Sequence, residues 1–476
     1  MIQDSLEADK TSNKTKVTIA IVGAGFSGTM LAVNLLQEKF TQPTKILLFE
    51  KAKRFSRGVA YSTQCPLHLL NVPAAAMSAY PDQPQHFLNW AKQRDASVEP
   101  LTFVARMEYG NYLQELLDQA AANRVACIEF HKINDDVVDL ILNGDQVQMH
   151  TQSGSAFTAD RLVLALGNFA PANPHVGATT FYQSPRYFQN PWAANQDYAP
   201  DAPVLLIGTG LTMVDKALQL DADGHVGVIH ALSRHGLLPQ VHRTGLPVLK
   251  PPYDEATLPA TVRQALHDFR QRLETAKTEG TDWRQLIDCL RSVTQKCWQH
   301  WPIAEKKRFT RHIRHLWDVH RHRIAPDVSK AIDAMLASGK LQIHAGRILG
   351  YKQEKDTVSV TIKQYKTGKQ YELAVGAVIN CTGPQCNYDK ISIPLVESLR
   401  KQGLIRADAL RLGIDSNADF ALLDTRGIPS TVFYTIGPPL KSIYWESVAV
   451  PELRVQAKQL AQRLVSSMAD SKTAAT

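Results

Sequence analysis

The chain carries a six-residue loop, Gly23-Ala24-Gly25-Phe26-Ser27-Gly28, set between a β-branched apolar run and a helix-compatible stretch. No other feature restricts the fold as strongly. Val17 to Val22 reads as a buried strand, Ser27 to Leu36 as a helix, and Lys45 to Phe49 as a second strand ending at Glu50. Together they form a βαβ unit. In such a unit the first glycine permits the tight turn, the second lets the backbone approach a pyrophosphate, and the third allows helix and strand to pack closely. The helix N-terminus offers free N–H groups to the phosphates. Glu50 follows Gly28 by about 20 residues, the separation at which an acid accepts hydrogen bonds from the adenosine ribose.

The programme then starts again. A strand Val204 to Ile207 leads into Gly208-Thr209-Gly210, a helix Thr212 to Leu220 and a strand Val226 to Leu232. In each half a meander follows, and then a strand ending in glycine: Arg161 to Leu166 before Gly167, and Val375 to Asn380 before Gly383. The Asn143-Gly144 pair marks a hairpin turn in the first meander. Repetition of one element order is an internal duplication, which suits a protein that holds two dinucleotides. The expected fold is α/β, with two Rossmann-like dinucleotide-binding domains, the FAD domain interrupted by an NAD(P)-binding one.

The expected boundaries are a flexible tail over 1–16, the first part of the FAD-binding domain over 17–200, and the NAD(P)-binding domain over 201–384. A helical insertion occupies about 255–340, and 385–470 returns to the FAD domain through a strand at Thr431 to Ile436 and a C-terminal helix from about Pro451 to Val465. A chain of 476 residues exceeds what one core usually supports.

The second loop differs from the first in two ways that bear on its ligand. Met213 stands where the third glycine would be, and Ser233-Arg234-His235-Gly236 stands where the acid would be. A guanidinium there can pair with a 2′-phosphate, which selects NADPH, with NADH as the alternative.

The formal charge of +8 favours anionic ligands, and dinucleotide phosphates or an acidic substrate satisfy it without nucleic acid. Its densest part runs from Lys306 to Arg323. The His312 and His315 pair there lies among arginines that would repel a metal cation, so anion contact is the stronger expectation and a solvated basic face the alternative. The six cysteines lack paired zinc spacing, and no metal site is expected. Cys381 and Cys386 have the spacing of a redox pair but not its place on an early helix of the first domain. No Gly-x-Ser-x-Gly elbow supports hydrolysis. A polar N-terminus and the absence of an apolar run of about 20 residues predict a cytoplasmic protein with no membrane contact.

Taken together, the chain resembles the FAD/NAD(P)-binding flavoprotein family that includes FAD-dependent urate hydroxylases and amino-acid (asparagine/aspartate) N-monooxygenases. The likeness spans Val17 to about Leu464. It is carried by Ile21 to Gly28, Gly58-Val59-Ala60-Tyr61, His68-Leu69-Leu70-Asn71-Val72-Pro73, Ala165-Leu166-Gly167, Leu206 to Asp215, Trp317-Asp318 with His320 to Arg323, and Asn380-Cys381-Thr382-Gly383-Pro384. The resemblance implies FAD contacts at Gly23, Gly25, Gly28 and Glu50, a flavin-side segment at Leu70, Asn71 and Val72, and nicotinamide nucleotide contacts at Gly208, Gly210 and Thr212. The full expected cofactor set adds Phe26, Ser27, Gly167, Arg234, Gly383 and Gly437, while His320, Arg321 and Arg323 are assigned to substrate. One departure is evident: many such enzymes end the last FAD strand in Gly-Asp, whereas Gly437 here precedes Pro438 and Pro439, leaving the ribityl contact to groups near Ser442. The expected activity is NADPH-dependent monooxygenation of a small polar, nitrogen-containing metabolite by molecular oxygen. The alternatives are a flavin reductase or dehydrogenase without oxygen transfer and a non-catalytic flavin- or nucleotide-sensing protein. No single catalytic acid or base follows from the sequence.

Overall fold

The computed structural model describes residues 16–177, 180–193 and 196–473; the tail expected over 1–16 lies outside them except for Lys16. The chain runs through β1 (Val17–Val22), a helix Phe26–Gln37, β2 (Thr44–Phe49), helices His86–Arg94 and Arg106–Ala122, and β3 (Ile128–Ile133). Next come β4 (Val137–Asn143), β5 (Gln146–Thr151), β6 (Ala156–Ala159) and β7 (Arg161–Leu164). After β8 (Tyr187–Phe188), the second unit has β9 (Val204–Ile207), a helix Leu211–Ala222, β10 (Ile229–Ser233), β11 (Leu341–Gln353), β12 (Val358–Gln364), β13 (Gln370–Val375) and β14 (Ala377–Asn380). The chain closes with β15 (Ala421–Leu423), β16 (Pro429–Thr435) and a helix Val450–Thr473.

The first sheet has the order β15-β16-β7-β1-β2-β3, parallel except for β15. The second has the order β13-β12-β11-β10-β9-β14-β8, parallel from β11 to β8. In both, the strand before the glycine loop is central, flanked on one side by the strand after the helix and on the other by the strand that ends in glycine. The duplication read from the sequence is therefore present in the strand order. The fold is α/β with two Rossmann-type units.

Parallel strands covered on both faces must be apolar along their whole length. β9 is buried at every position, and Ile19 to Val22 of β1 are buried too. Helices Phe26–Gln37, Arg106–Ala122 and Val450–Thr473 cover one face of the first sheet, sharing a core with Ile19, Ile21, Ile46, Leu48 and Val163. The three-stranded sheet β4-β5-β6 and helix Pro394–Lys401 cover the other face.

Two expectations are corrected. Strand β10 starts at Ile229 rather than Val226, which is 71% exposed because the preceding turn leaves it outside the sheet. The helical stretch before β11 is not all insertion: the helix Pro326–Ala337 packs Val328, Ile332 and Met335 against the second unit's core, as a crossover helix must. Helices from Val262 to Arg321 make the remainder, with a separate aromatic core of Trp298, Trp301, Phe309 and Trp445.

Candidate functional site

The first loop separates glycines required by the chain itself from one that is not. Gly23 has φ +103°, its N–H donates to the Phe49 carbonyl at 3.0 Å, and a Cβ there would stand 2.4 Å from the Ala165 carbonyl oxygen. At Gly28 a Cβ would stand 1.9 Å from the Gly23 oxygen. Both positions are fixed by packing. Gly25 is different: its φ of −73° suits any residue, and a Cβ would meet only the Gly58 Cα at 3.5 Å, an ordinary contact. The bare backbone at Gly25 therefore suits an external group that approaches closely, and the first-turn N–H groups of the helix it caps have no intrahelical acceptor. Phe26 and Ser27 lie in that first turn.

Glu50 sits at the end of β2 as the sequence placed it. Its carboxylate accepts from the Ala24 N–H at 2.9 Å and the Ala52 N–H at 3.0 Å. Asn134 donates to the carbonyls of Glu50 and Ala52, each at 2.7 Å, and fixes the turn. Gly437, at φ +87°, lies against the same helix, since a Cβ would stand 2.6 Å from Ser27 Oγ. The Ser447 hydroxyl donates to its carbonyl at 2.7 Å. The chain at Gly437 therefore passes beside the first turn of that helix, and further along it the buried Ser442 Oγ has no partner.

The second loop repeats the turn. Gly208 has φ +111°, donates to the Leu232 carbonyl at 2.7 Å, and would bring a Cβ to 2.5 Å from the Cys381 oxygen, as Gly23 does with Ala165. Gly210 caps the next helix with nothing within 4 Å of a Cβ, and Thr212 is half-buried in its first turn. Met213 is fully buried, so it fills the gap between helix and sheet that Gly28 closes in the first unit. Ser233 replaces the acid and accepts from Thr209 Oγ1 at 2.8 Å and from the Gly236 N–H at 3.0 Å. Arg234 beside it is exposed. Gly167 at φ +65° and Gly383 at φ +93° follow corresponding strands with open space beside them. Phe169 and Gln385 bridge just beyond, so the two crossings between units run side by side.

The segment His68–Pro73 lies at the junction of the units. Leu70 is buried, and Val72 packs against the first core. Arg106, at the start of helix Arg106–Ala122, donates to the Leu69 carbonyl at 2.9 Å and to Asn71 Oδ1 at 3.3 Å. It also pairs with Asp215 of the second unit at 2.5 Å. His68 contacts the Asp215 carbonyl through Nε2 at 2.8 Å, and His242 Nε2 donates to the Asn71 carbonyl at 2.8 Å. Burial and the nearby Arg323 charge push His242 down to about 4, so it is neutral at ordinary pH. Sequence reasoning did not single out Arg106 or His242, because a lone Arg and a lone His far apart in the chain carry no spacing signal.

The three residues assigned to substrate are engaged differently. His320 is bound within its own helix, to the Leu316 carbonyl at 2.8 Å, and its ring meets Trp283 edge-on. Arg321 is engaged in a two-point contact with the buried Glu446 at 3.0 and 2.8 Å. Arg323 is 2% exposed and pairs through one nitrogen with Asp288, while its Nε and Nη1 are buried without partners. Ile324 next to it is bonded to the Gln240–His242 segment, which links Arg323 to Asn71. Among the described residues no group of His, Cys, Asp and Glu could hold a metal, and all six cysteines are free thiols. Cys381 is buried, which pushes its thiol up to about 12 and disfavours the thiolate.

Two glycine-turn units, joined through a polar junction and an inserted helical layer, make up the architecture. Residues 20–169 match a family model described as FAD-NAD(P)-binding, so this part of the chain is an FAD/NAD(P)-binding domain. No curated protein matches by sequence. Among solved structures, ornithine hydroxylase from Pseudomonas aeruginosa in its reduced form aligns with a TM-score of 0.64 at 15% identity, over 95% of this chain and 99% of that one. The ornithine N-hydroxylase of Kutzneria sp. 744 with reduced FAD, NADP+ and L-ornithine aligns at 0.60 and 14%, over 94% and 98%. A bacillithiol disulfide reductase from Staphylococcus aureus aligns at 0.53 and 13%, over 95% and 98%. These likenesses establish the shared fold. No helix among the described residues is long and apolar enough to cross a membrane.

Proposed function

We propose that the protein is an FAD-dependent, NADPH-using monooxygenase that hydroxylates a small polar, nitrogen-containing metabolite carrying a carboxylate. The observation that carries the substrate class is Arg323. A buried guanidinium with two nitrogens unpartnered is costly, and a bound carboxylate would complete it by a charge-assisted contact.

The first unit fits FAD: the bare Gly25 cradle and the free N–H groups behind it suit a pyrophosphate, and Glu50 suits the ribose hydroxyls. The flavin, when bound, supplies hydride acceptance and oxygen activation. The chain's own residues position and exclude water. Asn71 is held from both units, its amide oxygen by Arg106 and its carbonyl by His242. The aromatic layer of Trp298, Trp301, Phe309 and Trp445 closes the side formed by the insertion and the return after Gly437. The Kutzneria ornithine N-hydroxylase, with an amino-acid substrate named beside both dinucleotides, supports the same reading. Fold likeness to a disulfide reductase is the rival's support, but Cys381 and Cys386 lie at the end of the second unit's β14 and not in the first unit.

The test is turnover under labelled molecular oxygen with NADPH and a panel of amines, amino acids and purines. A product that carries the label, formed in proportion to NADPH consumed, is the expected result. A reduced product or peroxide alone would favour the reductase reading, and bound FAD without any NADPH oxidation would favour a sensor.

A further inference from the structure

The helical insertion carries a cavity whose lining includes no residue of either glycine turn and none of those assigned to substrate. Helices Val262–Glu279 and Ile303–His312 leave between them an open space of about 470 Å³, lined by Val262, Arg263, Leu266, Arg308, His312 and Ile313. Spaces of about 300 to 1,000 Å³ are those that hold small molecules.

The lining combines two chemistries. Val262 and Leu266, four residues apart, share one face of their helix, and with Ile313 they form an aliphatic wall. Val262 belongs to the aromatic core of the insertion and Ile313 packs against it, so this wall is an uncovered edge of that core. The rim is basic. Arg263 and His312 are exposed and enter no hydrogen bond or ion pair among the described residues. Arg308 pairs with Glu305 through Nη1 alone. Glu305, the acid against this turn, is 6% exposed, and its second oxygen accepts the Val262 N–H at 2.8 Å. Both of its oxygens are therefore occupied, and no free acid neutralises the rim. Val262 opens its helix, so the partial positive charge of that terminus adds to the two guanidiniums.

We propose that this cavity binds an amphipathic carboxylate, a small organic acid with an aliphatic chain. The chain lies on Val262, Leu266 and Ile313, and the carboxylate sits among Arg263, Arg308 and His312. An inorganic anion would use the rim and leave the aliphatic wall in water, and a neutral apolar molecule would do the reverse. One molecule with both halves satisfies the whole lining. Ile313 joins helix Ile303–His312 to helix Arg314–Arg321, so the bound acid touches the joint that leads to Arg321. The proposal does not depend on which reaction the protein catalyses.

The experiment is titration calorimetry of the full chain as purified with octanoate, octan-1-ol and acetate, at pH 7.5 and constant ionic strength. Octanoate should saturate one site per chain, and octanol and acetate should each bind about tenfold or more weakly, because each lacks one half of the contact. Arg263→Gln alters a side chain that holds nothing else, so it should fold as the parent does. It should weaken octanoate about fivefold and leave octanol unchanged. Leu266→Asn should weaken octanoate as well, through the wall rather than the rim. Octanol as tight as octanoate would show an apolar groove only, and acetate as tight as octanoate a basic surface only; either overturns the proposal. Octanoate binding that does not saturate, or that is unchanged in Arg263→Gln and so lies elsewhere, Arg323 included, overturns it too.

Discussion

Arg106 ties the His68–Pro73 segment to the second unit by an ion pair, and Arg106→Met isolates that role. The Arg106 and Asp215 side chains are 14% and 8% exposed, so water replaces little of what the variant removes. Removing one partner of a buried pair costs about 3 to 5 kcal/mol, chiefly because the other charge is left uncompensated. At about 2 °C per kcal/mol for a large chain, the thermal midpoint should fall by roughly 6 °C or more. Asp215→Asn in the Arg106→Met background removes the stranded carboxylate and should recover part of the loss, giving a coupling energy of about 1 to 3 kcal/mol. FAD content separates the contacts: Arg106→Met frees Leu69 and Asn71 and should weaken flavin retention, whereas Asp215→Asn leaves those two bonds and should not. Strictly additive midpoints across the cycle, or equal flavin loss in both single variants, would refute the reasoning.

Gly25→Val should purify without yellow colour, its φ being open to any residue and its Cβ meeting only the Gly58 Cα at 3.5 Å; Gly28→Ala should fail to fold, its Cβ being 1.9 Å from a carbonyl oxygen. Absorbance and circular dichroism of the two variants together check this, and normal FAD content in folded Gly25→Val would remove the loop from the site. His242 supplies a pH dependence. An unfolded imidazole protonates near 6.5 but the folded one only at about 4, so the unfolded state binds more protons in between and stability falls as pH drops through that window. His242→Gln should show a shallower loss of urea midpoint from pH 6.5 to 4 than the parent; an unchanged slope would mean that His242 does not titrate as its burial requires.

The duplicated turns were legible because they are local. Glycine spacing, a β-branched run before it and an acid about 20 residues after it all lie within one βαβ unit, and the strand order follows from using that unit twice. What joins the units was not legible. Arg106 and Asp215 are 109 residues apart, and His242 and Asn71 are 171 apart, so no periodicity or spacing connects them. The basic run around Arg323 shows the same limit from the other side. Its composition suggested a shared anion-binding role, but the two arginines nearest its end find their partners in other segments, Glu446 for Arg321 and Asp288 for Arg323.

The two loops, alike in their turns, differ in how closely the backbone surrounds them, and on the proposal that they hold FAD and NADP(H) this difference would separate a resident cofactor from an exchanging one. Around Gly25 the backbone of Gly58 forms an opposite wall, with the Cα of each glycine facing the other, and the return at Gly437 closes against Ser27. Around Gly210 nothing stands within 4 Å of a Cβ. Enclosure slows release more than it speeds association, so most of the difference in affinity should appear as residence time. A hydride donor must leave after each turnover while the flavin stays, and this asymmetry suits that division of labour. The expected outcome is that FAD survives gel filtration at near-equimolar content while NADP+ is removed by the same column. Retention of NADP+ through the column, or loss of FAD, would show that enclosure by Gly58 and Gly437 does not govern release.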